Sequence, residues 1–243
     1  MSQTKSFFVF YIKMLLKDKI TMIWTIVLPI ILAIISYYPN GSSSYTEIEK
    51  QYLIVSFWAF IVAITFINGI GMQISRIRED GLLKTFVMIT GQKFPFILAI
   101  ILSQCLLSLI SILVFNLTVG SLLHVLTTKL IFTTLIFIVL CVPISFFFLV
   151  LAFIPVKVDT LTTIVNILTI FLFYINSRTD NQFYGLEWLN PLYLFNEISR
   201  NLLSYDNFIS FVHLITPLFF YVLYIVIGLL CMKYININSK TMR

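Results

Sequence analysis

Five side chains could in principle hold a metal or act as nucleophiles: His124, His213, Cys105, Cys141 and Cys231. No two of them are spaced as ligands on one helix face or in a Cys-x-x-Cys turn, so no metal site is assigned. The cysteines sit inside apolar runs and read as small buried hydrophobes. The histidines lie near the outer ends of apolar runs and read as interfacial polar residues. The sequence has no GxxxxGK[ST] loop, so the chain cannot hydrolyse ATP through one, and it has no HExxH or GxSxG. No apolar run holds a pair of carboxylates, which argues against a proton relay or an intramembrane acid protease. No catalytic residue is assigned: the chain is read as not an enzyme and as binding no cofactor of its own.

Two groups of polar residues remain. The first is the set of amides inside apolar runs, Asn68, Gln104, Asn116 and Asn166, with Ser103, Ser108 and Ser111 beside them. Such groups can line a substrate path, or they can bond between helices at about 0.6 kcal/mol each. Packing is the simpler role, and both stay open. The second is ISRIREDGLLKTFVMITGQK, residues 74–93, which crowds Arg76, Arg78, Glu79, Asp80, Lys84 and Lys93 into a chain that is otherwise strongly apolar. Asp80 can cap a helix start, and Gly91 followed by Pro95 supplies a stop. Between them Leu82, Phe86 and Ile89 form an apolar stripe at i, i+4 and i+7, with Gly81, Lys84 and Met88 facing the other way. A short helix of that shape suits a groove on another protein. The plainer alternative is an extension of the following span, bent along the membrane.

The elements that position these residues follow from composition. The chain has 243 residues, 60% hydrophobic and 11% charged, with a mean hydropathy of +1.01. A soluble domain carries about 25% charged residues, so lipid must be the solvent for most of this surface. Charge-free runs near the roughly 20 residues that cross a bilayer predict an all-α polytopic membrane protein with six transmembrane helices. Their ranges are 20–38, 51–75, 94–119, 130–156, 160–176 and 208–232. The first run ends in SYYPNG with no small-residue cleavage pattern, so it reads as a retained span and not a signal peptide.

With the N-terminus cytoplasmic, the inner segments 1–19, 76–93, 157–159 and 233–243 hold 12 of the 16 Lys and Arg. The outer side keeps Lys50, Lys129, Arg178 and Arg200. An even number of spans puts both termini inside, and the positive-inside bias accounts for the net charge of +6 without nucleic acid. Residues 2–19, SQTKSFFVFYIKMLLKDK, place Phe7, Tyr11, Met14 and Leu15 on one helical face, with Ser2, Ser6, Lys13 and Lys17 on another. This segment can lie along the inner leaflet against anionic lipid head groups, or simply anchor the first span. Residues 177–206 are too polar to cross and too aromatic for a free loop. They read as short helical pieces in the outer leaflet, broken at Asn190-Pro191, or as a plain surface helix.

These stretches resemble the ABC-2 type transporter permeases, the membrane subunits of a class of ATP-driven exporters. REDGLLKTFVMITGQKFPFILAIILSQCLL resembles the family's segment after the second span, with Leu82 where many members carry Thr. LLKDKITMIWTIVLPIILAII is similar to its approach to the first span, and EWLNPLYLF to its Asn-Pro element before the last. The resemblance runs the length of the chain. It implies that residues 79–90 form a cytoplasmic coupling helix between spans 2 and 3. Glu79, Asp80, Gly81, Leu82, Leu83, Thr85, Phe86 and Ile89 would then dock an ABC-type ATPase subunit. It implies an N-terminal amphipathic interface helix over 1–19, carried by Phe7, Tyr11, Lys13, Met14 and Lys17. It also implies a second permease chain, identical or paralogous, with ATP and Mg on the partner ATPase, in a bacterial cytoplasmic membrane. Small outer loops and an aromatic-rich interior suit an amphipathic or lipophilic cargo, such as a bacteriocin-like peptide, a drug or a lipid. The alternative function is a non-transporting membrane module, a sensor or assembly partner, that anchors a cytoplasmic protein.

Overall fold

The computed structural model describes residues 2–37, 45–154, 156–177, 187–203 and 211–235. Parts of several expected segments lie outside these residues: Tyr38, Pro155, 178–186 with Arg178, 204–210, and 236–243 with Lys240 and Arg243. Among the described residues every regular element is helical. In chain order these are α1 (Ser2–Lys17), α2 (Lys19–Tyr37), α3 (Glu47–Phe66), α4 (Gln73–Glu79), α5 (Leu82–Thr90), α6 (Phe94–Phe115), α7 (Thr128–Ser145), α8 (Val158–Ser177), α9 (Pro191–Leu203) and α10 (Phe211–Tyr234). Among the described residues five stretches are long and apolar enough to cross a membrane: Glu47–Glu79, Phe94–Gly120, Thr128–Phe153, Val158–Ile175 and Ile215–Tyr234. The pair α1 and α2, bent by 63°, makes a sixth if counted as one span. The protein is a multi-pass membrane protein by length and composition.

The stretch Glu47–Glu79 starts earlier and ends later than its charge-free run. The cause at the start is a capping box: the Thr46 hydroxyl accepts from the Glu49 amide, and the Glu49 carboxylate accepts from the Thr46 amide at 2.7 Å. At the far end α4 carries Arg76 and Arg78 on helical backbone. Arg78 is buried, and its guanidinium donates from Nη1 to the Ala152 carbonyl. The Ala152 carbonyl lies in a tight 3-10 segment, Phe146–Phe153, that continues α7.

That over-wound segment packs against an under-wound one. Residues Ile67–Met72, between α3 and α4, form a π-helical stretch that meets Phe146–Phe153. Contact is close because Gly71 has no side chain: a Cβ there would stand 2.5 Å from Leu151 Cδ1 and 2.8 Å from the Phe148 carbonyl. Gly228 on α10 plays the same part, with the Phe146 backbone 2.5 Å from where its Cβ would be. Small residues allow helices to approach this closely in a membrane.

The α3 helix is the axis of the fold and is buried along most of its length. Phe57 meets Phe115, Trp58 meets Phe137, and Phe66 meets both Phe148 and Phe195. The amphipathic α9 lies against α3 and α7, burying Leu192, Leu194, Phe195, Asn196 and Ser199. Asn190 caps it, accepting from the Leu192 amide at 3.0 Å while its own amide donates to the Leu172 carbonyl of α8. Pro191 occupies the first helical position, where its missing N–H costs nothing. The Asn-Pro pair therefore starts a helix and ties it to α8. By contrast, α8 and α10 bury few of their apolar side chains.

Candidate docking helix and polar membrane face

The charged stretch 74–93 folds as helix, turn, helix. Glu79 is the last residue of α4, Asp80 follows in helical conformation, and Gly81 sits at φ 72°. The amides of Asp80 and Gly81 return to the carbonyls of Arg76 and Arg78 at 2.9 and 3.1 Å. Asp80 therefore helps close α4 and does not cap α5, which starts at Leu82 with no side-chain cap. The expectation of a capping Asp80 is corrected: Gly81 takes the left-handed conformation that ends a helix, and the acid falls before that turn. Gly91, at φ 70°, closes α5 by donating to the Val87 carbonyl at 2.8 Å.

Packing against α1 and α6 divides the expected stripe of Leu82, Phe86 and Ile89. Leu83 is fully buried, and Phe86 and Val87 are half-buried beside it. Leu82, Lys84, Thr85, Met88 and Ile89 are exposed, Met88 by 69% and Ile89 by 72%. Phe86 stacks on Phe96 of α6 with ring centroids 4.7 Å apart, and Phe7 of α1 stands edge-on to both. Tyr11 of α1 completes the cluster against Phe96 at 5.5 Å and is itself buried. Four rings from three helices thus fix α5 to α1 and α6, and leave its other face outward.

On α1 the inward residues are Phe7, Phe8, Tyr11, Ile12 and Leu15, while Lys13, Met14 and Lys17 are exposed. Met14 thus leaves the face shared by Phe7, Tyr11 and Leu15, because the buried stripe tracks α6. The outward face of α1 mixes lysines with Val9, Phe10, Met14 and Leu16.

Two charges of this region are structural ties that sequence reasoning missed. The Glu79 carboxylate accepts from the Val158 amide at 2.8 Å, so it sits on the N-terminus of α8. Lys93 Nζ donates to the carbonyls of Lys233 and Ile235 at 2.5 and 3.2 Å, closing the C-terminus of α10. Partial burial pushes the Lys93 ammonium below its ordinary range. No sequence signal pairs residue 79 with 158, or 93 with 233. Both contacts are products of the bundle.

The four amides of the apolar runs part company. Asn116 is buried: its Oδ1 accepts from Trp58 Nε1 at 2.7 Å, and its Nδ2 donates to Thr134 Oγ1 at 2.8 Å. It therefore binds three spans together. Gln104 is also buried, with its amide carbon in the space that a Cβ at Gly69 would take. Ser103, Ser108 and Ser111 are buried and donate to carbonyls one turn back on their own helix. All five are buried inside the bundle.

Asn68 and Asn166 are exposed. Asn68 sits in the π-wound segment against which α8, carrying Asn166, packs. On α8 the hydroxyls of Thr162, Thr163 and Thr169 donate to carbonyls of their own helix, whereas the two amides keep their polarity on the outer surface. An amide facing hydrocarbon is costly, so each of these two positions is suited to water or to other protein.

His124 adopts a positive φ of 57° in the turn after α6, and the His213 side chain lies outside the described residues. Cys105 and Cys141 are buried and Cys231 is half-buried, all three as free thiols. No cluster of metal-ligating side chains occurs among the described residues. No family model matches this chain, and no curated protein or solved structure shows significant similarity to it.

Proposed function

We propose that this chain is the permease subunit of an ATP-driven exporter of the ABC-2 type. In this reading it moves an amphipathic or lipophilic substrate, such as a peptide, drug or lipid, outward across a bacterial cytoplasmic membrane. The supporting observation is the two-faced α5, anchored by Leu83 and Phe86 to its own bundle while Leu82, Thr85, Met88 and Ile89 point away. A short helix with an apolar outer face, rigidly joined to a span, can receive a push from a partner and pass it on. The partner is a separate ABC-type ATPase carrying ATP and Mg, since this sequence has no phosphate loop.

In this arrangement α5 is the coupling helix and α1 the interface helix, with both termini cytoplasmic. Motion of α5 would reach α6 through the Phe86–Phe96 stack and α3 through the continuous helix of α4. A second permease chain, identical or paralogous, would cover the exposed Asn166 side of α8, and the exposed amides Asn68 and Asn166 are candidates to keep an enclosed path polar.

The test is purification of the tagged protein from its native cells in mild detergent, with co-purifying proteins identified by mass spectrometry and ATP turnover measured with and without lipophilic peptides. A stoichiometric ABC-type ATPase whose turnover rises with substrate is expected. An ATPase indifferent to every cargo, or a different cytoplasmic partner, would favour a non-transporting module that uses α5 as an anchor.

A further inference from the structure

An open groove of about 650 Å³ runs between α1 and α6. Its floor is the α6 stripe Leu98, Leu102, Cys105, Leu106 and Leu109, spaced so that all five share one helical face. Phe8 of α1 and Ile138 of α7 form the sides, and Thr4 and Lys5 are the polar residues lining it. We propose that this groove binds one acyl chain of an anionic phospholipid, whose headgroup phosphate pairs with Lys5.

Three observations carry the proposal. The floor belongs to a membrane-spanning helix, so the surrounding medium supplies hydrocarbon at high concentration. From Leu98 to Leu109 the stripe rises eleven steps of helix, about 16 Å, which matches the depth of hydrocarbon in one leaflet, about 15 Å. Lys5 is exposed and forms no ion pair with any described residue. Its long stem can run along apolar surface while the ammonium reaches headgroup level. Lys13 and Lys17 are exposed further along the same helix, and its first acid comes after its end, at Asp18. An anionic headgroup is thus favoured over a zwitterionic one. The proposal is independent of the exporter reading, since it needs only a membrane around the bundle.

The test uses the full chain in phosphatidylcholine nanodiscs. They are doped with a trace of phosphatidylglycerol or phosphatidylcholine carrying a diazirine midway along one acyl chain, and the crosslinks are mapped by peptide mass spectrometry. The expected result is crosslinking concentrated on the α6 stripe and the start of α1. The anionic probe should be favoured about fivefold, the factor one lysine near an anionic headgroup supplies. Lys5→Gln should lower that preference about fivefold, and Leu102→Trp should reduce capture of both probes by filling the groove. Both positions are exposed, and a thermal melt of each variant checks that the bundle persists. Equal capture of the two headgroups would overturn the pairing with Lys5. Crosslinks spread evenly over α8 and α10, without enrichment on α6, would overturn the groove as a site.

Discussion

The division of α5 into two faces makes a prediction that separates docking from folding. Phe86 is half-buried in a cluster of four rings, whereas Ile89 is 72% exposed and Met88 69% exposed. Truncating a fully buried Phe costs about 3–5 kcal/mol. Half that burial, with the stack on Phe96 and the edge contact to Phe7 lost, gives about 2 kcal/mol for Phe86→Ala. In a chain of this size that lowers the melting temperature by roughly 5 °C. Ile89→Asp removes almost no internal contact, so the melt should move by no more than about 0.5 kcal/mol. If the outer face seats in a partner ATPase, a charge replacing a central apolar anchor costs at least about 2 kcal/mol of binding, or about thirtyfold in affinity. The assay pairs a fluorescence melt of the detergent-purified chain with recovery of the ATPase on the tagged variant at matched expression. Ile89→Asp should melt like the wild type and lose its ATPase, while Phe86→Ala should melt early. Normal ATPase recovery with Ile89→Asp, together with loss in a Phe86→Ala protein of unchanged stability, would refute the assignment of the outer face.

Three further outcomes rest on the packing. Asn116→Leu and Trp58→Phe should couple in a double-mutant cycle by about 1 kcal/mol, read by unfolding in mixed detergent; additive effects would mean the 2.7 Å bond contributes nothing. Gly228→Val should destabilise by about 1–3 kcal/mol or block assembly, because the Cβ would meet the Phe146 backbone and not a side chain that can swing away; a wild-type melt would show that α10 sits further off. Glu197 on α9 has its carboxyl raised by burial, with Arg200 lowering it and Glu187 raising it further. The folded state therefore holds that proton more tightly than the unfolded chain does, and stability should fall as pH climbs from the ordinary carboxyl range through the raised one. Glu197→Gln should flatten that slope, and an unchanged slope would assign it to another group.

The sequence by itself determined the solvent and the class of fold. Only helices or closed barrels satisfy the backbone in lipid, and charge-free runs of about 20 residues fit a spanning helix where a barrel strand needs about half that. Local chemistry was legible in part: Gly91 ends α5, and the expected break at Asn190-Pro191 falls where α9 begins, whereas the Thr46–Glu49 capping box that starts α3 went unread. Each acts within a few residues of itself, so a pattern in the chain suffices.

What only the tertiary structure decided was which face of each helix looks inward and which polar residues stay outside. In a span with apolar residues all round, no moment points to the core, and Asn116 and Asn166 read alike until their neighbours are known. Trp58 and Thr134 stand beside Asn116, whereas Asn166 has the exposed side of α8. The same holds for the loop charges. Asp80 read as a cap until Gly81 ended α4 one residue later, and Glu79, Arg78 and Lys93 found backbone partners 79, 74 and 140 residues away. Contacts across such separations depend on how the bundle closes, and that is set by interlocking shapes, such as Gly71 and Gly228 against the Phe146–Phe153 turn, that no periodicity encodes.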